Sequence, residues 1–385
     1  MIFLLCLLLT LELASLGLVL QNLNEYRYPS GPSGAEDCLI SICIPARNEA
    51  SNIAAILQAV GQQTYKHLEI LVLDDGSEDD TRQIAMETAG TDPRFKLIAG
   101  APIQAGWAGK CHACAQLAAH AKGEFVLFLD ADTRPQPELT ASLHAEILNS
   151  DVDFISGFPR QITGSFWEVM VLPMLQVIVM SFLPVRQVRT DPSPAFAAAC
   201  GQVLFTRRSA YEQVGGHSSI RTSFHDGLQL ARKFKRAGKR IQLVDLEKLI
   251  SCRMYQNGRD VWNGFTRNTY EGIGSIPALI TVTASEFTLF CLPFILLAWG
   301  VLRHTSWVTL AATVAAVALT IRLIQVTRFK HALNALLLPI SALSVITIQW
   351  ASLFRKSGTW KGRKFVHLSP GEPTGTQDME APNAH

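Results

Sequence analysis

Three apolar runs that each stop at an acid-bearing turn constrain this chain more than any other feature. Residues 39–50 read LISICIPARNEA, residues 68–81 LEILVLDDGSEDDT, and residues 125–139 FVLFLDADTRPQPEL. Each run is too continuously apolar to keep a solvent face, as expected of a strand buried on both sides, and helical patterns follow the first two. Strand, helix, strand, helix predicts a parallel sheet with right-handed crossovers, with a further strand near residues 95–98. Ligands of such sheets bind beyond the carboxyl ends of the strands. The turns at 45–49, 74–77 and 130–132 therefore fall on one rim, and the expected fold class is α/β with a mostly parallel sheet.

Residues two apart in an extended chain point the same way, so Asp130 and Asp132 can face one point above that rim. Adjacent carboxylates repel unless positive charge lies beside them. A hard cation such as Mg2+ or Mn2+ suits this arrangement, taking one or two carboxylates while phosphate oxygens and water complete its octahedron. An Asx turn before Pro135 and Pro137 would use the same residues. Two further acid-bearing turns on the same rim favour the cation.

Hydrophobic residues make up 48% of the 385, and they are concentrated at the two ends. Residues 1–20 are apolar apart from Glu12 and a few small or hydroxyl residues, about the length that crosses ~30 Å of hydrocarbon. A cleaved signal peptide is disfavoured, because no basic segment opens the chain and no small-x-small site lies near Leu20. Three more apolar runs, 283–301, 307–324 and 332–354, read as a C-terminal membrane bundle. The expected organisation is an N-terminal transmembrane helix (1–20), a catalytic domain (36–280), the bundle (281–354), and a basic then disordered cytoplasmic tail (355–385).

Net charge is only +2, but residues 355–364, RKSGTWKGRK, concentrate basic side chains directly after the last apolar run. Such a cluster prefers the cytoplasmic face and anionic headgroups. A cytoplasmic domain followed by three crossings would leave this segment outside, so one run should be re-entrant or interfacial. Residues 332–354, holding Asn334, Pro339 and Gln349, are the candidate. Nothing in the charge pattern points to nucleic acid. The eight cysteines do not form a disulfide signature, and Cys111 and Cys114, a lone C-x-x-C, read as helix residues.

The motifs PARNE at 45–49, DDGSEDDT at 74–81 and DAD at 130–132 resemble the nucleotide-sugar binding domain of the family 2 glycosyltransferases, the GT-A fold. The resemblance continues through GWAGK at 106–110, ACGQVLFTRRSAYEQVGGH at 199–217, HDGLQLARKFKRAGKRIQLVD at 225–245 and GTWKGRK at 358–364. It is similar to the membrane-bound branch that glycosylates carotenoids, hopanoids and, more distantly, ceramide. The resemblance implies an integral membrane enzyme of the bacterial inner membrane, with its catalytic domain on the cytoplasmic side. An inverting transfer from a nucleotide sugar, UDP-linked by expectation, to a lipid hydroxyl would be its reaction.

Under that resemblance Pro45, Arg47, Asn48, Glu49 and Asp75 would contact uracil and ribose. Lys110, Gln256 and Arg259 would serve the diphosphate, and Asp130 and Asp132 would hold Mg2+ or Mn2+, with Asp130 also on the donor side. Asp226 would be the general base, while Gln202 and Trp262 would lie on the acceptor side. Two departures stand out: His225 occupies the place of an acid before the base, and QNGRDVW sets Trp262 two positions late. Residues 165–185, strongly apolar and interrupted by prolines, read as interfacial helices that present the lipid, or else as ordinary core. Transfer to a polyprenyl phosphate or a glycolipid, and an inactive membrane scaffold on the same fold, are the competing functions.

Overall fold

The computed structural model describes residues 1–29, 31, 38–329, 335, 337–355, 357–366 and 376–377. The chain divides into two compact units. One is helical, comprising Met1–Tyr26, Thr163–Arg186 and Tyr255–Phe354; the other is α/β, comprising Arg27–Ile162, Gln187–Met254 and the described part of Arg355–His385. Residues 163–186 and 255–280, expected within the catalytic domain, thus belong to the helical unit.

The α/β unit is built on strands β1 (Ile40–Ala46), β2 (Leu68–Asp74), β3 (Phe95–Ala99) and β4 (Phe125–Leu129). Short strands β5 (Thr133–Pro135), β6 (Phe154–Phe158) and β7 (Arg160–Gln161) follow, then β8 (Val203–Arg207), β9 (Ile241–Asp245) and β10 (Ile250–Cys252). The main sheet runs β3-β2-β1-β4-β8-β6-β9. Only β8 is antiparallel to its neighbours. Strand order reverses between β1 and β4, so the carboxyl ends of β1, β2 and β4 open onto one crevice, as the apolar runs predicted. All five residues of β4 are buried. Phe125 stacks on Phe205 of β8, ring centroids 5.6 Å apart. Each such fully buried Phe, Leu or Ile stabilises the unit by about 1.5–3 kcal/mol.

A second, small sheet pairs β10 antiparallel with β5 and parallel with β7. It sets Cys252 opposite Thr133, one residue beyond Asp132. The basic segment after the last apolar helix is also ordered. Strands β11 (Ser357–Trp360) and β12 (Arg363–Val366) form a hairpin across the two-residue turn Lys361–Gly362. Both turn residues have positive φ, 50° and 85°, the mirror-image turn that matches strand twist. Of the tail expected to be disordered, residues 370–375 and 378–385 lie outside the described residues; strand β13 (Thr376–Gln377) pairs with β12.

Among the described residues of the helical unit, two helices are long and apolar enough to cross a membrane, Ile2–Glu25 and Val308–Gln325, and a third crossing is available if the bent pair Gly258–Ile273 and Ile276–Phe290 acts as one. The run 283–301, expected as one span, is broken: helices Ile276–Phe290 and Leu292–Leu302 meet at Cys291, with Pro293 starting the second. Helix Phe166–Phe182, by contrast, continues through Pro173 and ends at Leu183, just before Pro184. Its start is fixed by a capping box in which the Ser165 hydroxyl and the Glu168 carboxylate each accept the other residue's backbone N–H. Its end is fixed by buried Asn22, whose amide donates to the carbonyls of Met180 and Leu183 at 2.8 Å and accepts from Val185 N.

Candidate active site

Lys110 stands at the centre of the crevice, in the first turn of helix Gly109–His120. Its ammonium lies 2.7 Å from Asp130 Oδ1 and 3.0 Å from Asp226 Oδ2, and donates to the Gly201 carbonyl at 2.9 Å. Asp130 follows β4, and Asp226 is the first residue of helix Asp226–Arg236. The close approach depends on a glycine, since a Cβ on Gly201 would fall 2.4 Å from Asp226 Oδ1. Burial opposes the charge on Lys110, yet the two carboxylates hold it well above the ordinary lysine value. Burial would likewise raise Asp226, but Lys110, with help from His217, holds it below the usual carboxylate range.

His217 went unremarked in the sequence and is fully buried here. Its Nε2 faces Asp226 Oδ2 at 3.9 Å. The Tyr211 hydroxyl accepts from His217 N at 3.0 Å and sits 2.8 Å from Nδ1. That pattern leaves the hydroxyl proton for Nδ1 and the ring proton on Nε2, directed at Asp226. Burial lowers the His217 pKa, which favours the neutral ring. The signal was the double glycine of VGGH: Gly216 has φ 47°, and a Cβ there would lie 2.3 Å from the Tyr211 ring.

Burial raises Asp130, as do nearby Asp132 and Asp226, with Lys110 opposing. Burial also raises Asp132, next to Glu49. Asp132 Oδ1 is buried without a hydrogen-bond partner. Among the described residues no three His, Cys, Asp or Glu side chains form a complete metal site. The donor set instead offers carboxylate oxygens short of positive charge, which fits a hard cation that draws its remaining ligands from a phosphate-bearing substrate.

At the other end of the crevice the C-terminal hairpin meets the turns after β1 and β2. The Arg363 guanidinium grips the Asp75 carboxylate with both terminal nitrogens, and both side chains are buried. Lys361 Nζ pairs with Glu49 Oε1 at 2.9 Å, and the Lys361 carbonyl accepts from Arg47 Nε at 2.9 Å and Asn48 Nδ2 at 3.2 Å. Arg47 Nη1 also donates to the carbonyls of Asp75 and Gly76, at 2.8 and 2.6 Å. Asn48 takes φ 50°, its N–H donating to Ser77 Oγ and its side-chain oxygen accepting from Glu78 N. Pro45 pairs in register with Leu73 at the strand ends.

A family model for glycosyl transferase family 2 matches residues 41–215. Residues 41–215 are thus similar to a family 2 glycosyltransferase domain. A curated relative, the 4,4'-diaponeurosporenoate glycosyltransferase of Staphylococcus aureus (strain USA300), is 27% identical over 257 residues. That match covers 65% of this chain and 66% of the relative, just under two thirds of its length. The same-named protein of strain MRSA252 is 27% identical over 241 residues, 61% of this chain and 62% of its own. Among solved structures, the mannosyltransferase PcManGT from Pyrobaculum calidifontis, in complex with GDP-Man and Mn2+, aligns with a TM-score of 0.55 at 18% identity. It covers 91% of this chain and 96% of its own, which establishes the GT-A fold.

The α/β unit gathers Lys110, Asp130, Asp132 and Asp226 around the end of β4, and Pro45, Arg47, Asn48, Glu49 and Asp75 around the ends of β1 and β2, with Glu49 near Asp132. Gln202 is buried beside the acids: its Nε2 donates to Cys252 Sγ at 2.8 Å and its Oε1 accepts from Gln161 Nε2 at 3.1 Å. Gln256, Arg259 and Trp262 fall in the helical unit instead. Trp262 is exposed, and Arg259 lies in the first turn of helix Gly258–Ile273. His225 occupies the N-cap position before Asp226, its N–H donating to Ser223 Oγ at 3.0 Å. Cys111 and Cys114 are buried helix residues, as expected. Sequence reasoning missed Lys361 and Arg363, which it assigned to a lipid-headgroup cluster, and Cys252, which accepts from Gln202 Nε2 and pairs in register with Thr133, the residue after Asp132.

Proposed function

We propose that this chain is an inverting enzyme that moves a sugar from a nucleoside-diphosphate sugar to the polar end of a membrane lipid, an isoprenoid of carotenoid type. The observation that carries the reading is Lys110 held between Asp130 and Asp226, beside the unpartnered oxygen of Asp132, at the carboxyl ends of the sheet. Support for the acceptor class comes from the name of the 27% identical relatives and from the apolar helices.

Asp130 and Asp132 would hold Mg2+ or Mn2+, which when bound offsets the charge of the departing nucleoside diphosphate. Arg47, Asn48, Glu49 and Asp75 orient the base and ribose. Lys110 is the mobile charge of the site. As a diphosphate draws its ammonium away from Asp226, the carboxylate loses its closest counter-charge and becomes more basic. Asp226 then takes the acceptor proton while the acceptor oxygen attacks the anomeric carbon from the face opposite the leaving group. His217, whose Nε2 faces Asp226 Oδ2 at 3.9 Å, would help to orient that carboxylate.

A second reading is favoured by the low proton affinity of Asp226 and by the relatives' named acceptor, a carboxylate: the nucleophile is itself ionised and needs no base. Parallel assays with a carotenoid alcohol and a carotenoid acid separate the two. Asp226→Asn should cripple transfer to the alcohol, and on the second reading it spares transfer to the acid.

Arg363 matters to the donor through Asp75. Arg363→Ala leaves the Asp75 carboxylate buried without its partner, so it takes up a proton or turns away. UDP affinity, measured calorimetrically with Mn2+, should fall about tenfold, with partial recovery in Arg363→Lys. Tighter binding by Arg363→Ala would contradict this role and make the hairpin an obstruction.

The same pair supports a reading of the topology. Asp75 and Arg363 touch, so the chain between them crosses any membrane an even number of times. Helix Val308–Gln325 supplies one crossing. Helix Leu338–Phe354, 17 residues and about 25 Å long and shorter than the candidate spans, would supply the return. Cysteines placed at Lys122 and at Ser369 should therefore react with an impermeant maleimide from the same side, the cytoplasmic one. Labelling from opposite sides would exclude this path.

A further inference from the structure

The helix that begins at Asp226 ends, about 16 Å away, at a cavity of about 440 Å³. Lys235, Arg189, Lys239 and Arg240 line it, with Asp191 as the lone acid. Basic residues in the last turn of a helix are ordinary complements of its dipole, which accounts for Lys235. It does not account for Arg189, which arrives from a separate segment, nor for Lys239 and Arg240, which lie beyond the helix end. Lys235 is buried, and its ammonium donates only to the backbone carbonyls of Gln187 and Asp191. The Asp191 carboxylate accepts from Ser193 N at 2.7 Å. Arg240 also pairs with Asp151, outside the lining.

Four cations around one open space, offset by Asp191 in the lining and Asp151 beside Arg240, leave a net positive charge that favours an anion. We infer that this cavity binds the phosphate group of an anionic membrane lipid. Phosphate oxygens match both the guanidinium forks of Arg189 and Arg240 and the point charges of the lysines. Soluble phosphates share that chemistry, but the route of the chain favours the lipid: Arg189 is reached from the apolar helix Phe166–Phe182 through the short helix Val185–Thr190. Basic residues that follow an apolar helix closely along the chain suit anionic headgroups. A headgroup bound here touches the helix that carries Asp226, whatever substrates the enzyme uses.

The test uses the full-length protein in phosphatidylcholine nanodiscs doped with phosphatidylglycerol, with retained lipid counted by native mass spectrometry. Arg189→Gln combined with Lys239→Gln removes two charges that make no ion pair or side-chain hydrogen bond among the described residues. Retention should fall roughly tenfold to thirtyfold, with nucleotide binding unchanged. Asp191→Asn, which removes the lone acid of the lining, should move retention the other way. Equal retention by wild type and the double variant overturns the inference. So does thermal protection by inorganic phosphate that matches protection by phosphatidylglycerol, because the occupant would then be a soluble anion.

Discussion

Asp226→Asn should lower turnover on a lipid alcohol by about 10² to 10⁴ while leaving donor affinity within a few-fold of wild type. The substitution keeps the shape of the side chain and its fit against Gly201, but removes the charge that faces Lys110. Lys110 retains Asp130 at 2.7 Å, so the donor end of the site stays assembled. Steady-state rates with lipid acceptor, set beside calorimetric donor binding, separate the two effects. Unchanged turnover on the alcohol would move the base elsewhere.

Asp132→Ala should abolish metal-dependent donor binding and reduce transfer by about 10² to 10³ or more. Stability should move in the opposite direction. Asp132 Oδ1 is buried without a partner, and such a group costs about 1–3 kcal/mol, more when charged. Its removal should leave the melting temperature unchanged or raised, the pattern expected where a residue is kept for function at the expense of fold. Full activity of the wild type in EDTA, or of the variant without added metal, would remove the cation from the account.

Much of this site was legible because the strands are locally determined. Short, mainly apolar runs at 40–46, 68–74 and 125–129, bounded by turn residues, read as doubly buried strands, and the acids that end them mark the rim. Parity of side-chain direction then paired Asp130 with Asp132. What stayed hidden depends on long-range contact. Arg47 and Lys361 are 314 positions apart, so RKSGTWKGRK shows only positive charge, which reads as a headgroup patch, and nothing shows that its turn meets Glu49 and Arg47. His217 hides for the same reason, since its approach to Asp226 is set by how two glycines pack against Tyr211 and Lys110.

The helical unit was harder to read. Apolar composition reports burial in either lipid or protein, and it does not say where a helix bends. The run 283–301 breaks at Cys291, where Pro293 restarts a helix, yet Pro173 sits inside helix Phe166–Phe182 without ending it. Proline removes one donor and crowds one carbonyl, and neighbouring helices decide whether that is tolerated. Val171 and Val177, on the segment assigned to lipid, are buried in the unit, so charge there would disrupt packing before it tested acceptor binding. Exposed Phe166 and Trp167 are better probes of a lipid-facing surface.

The most direct test is transfer itself. Full-length protein in lipid bilayers, supplied with radiolabelled nucleotide sugars, Mn2+ and a carotenoid-bearing lipid extract, should yield a labelled lipid whose anomeric configuration is inverted relative to the donor. Asp132→Ala should yield at least about a hundredfold less. Labelled free sugar with no labelled lipid, released equally by wild type and variant, would contradict the account.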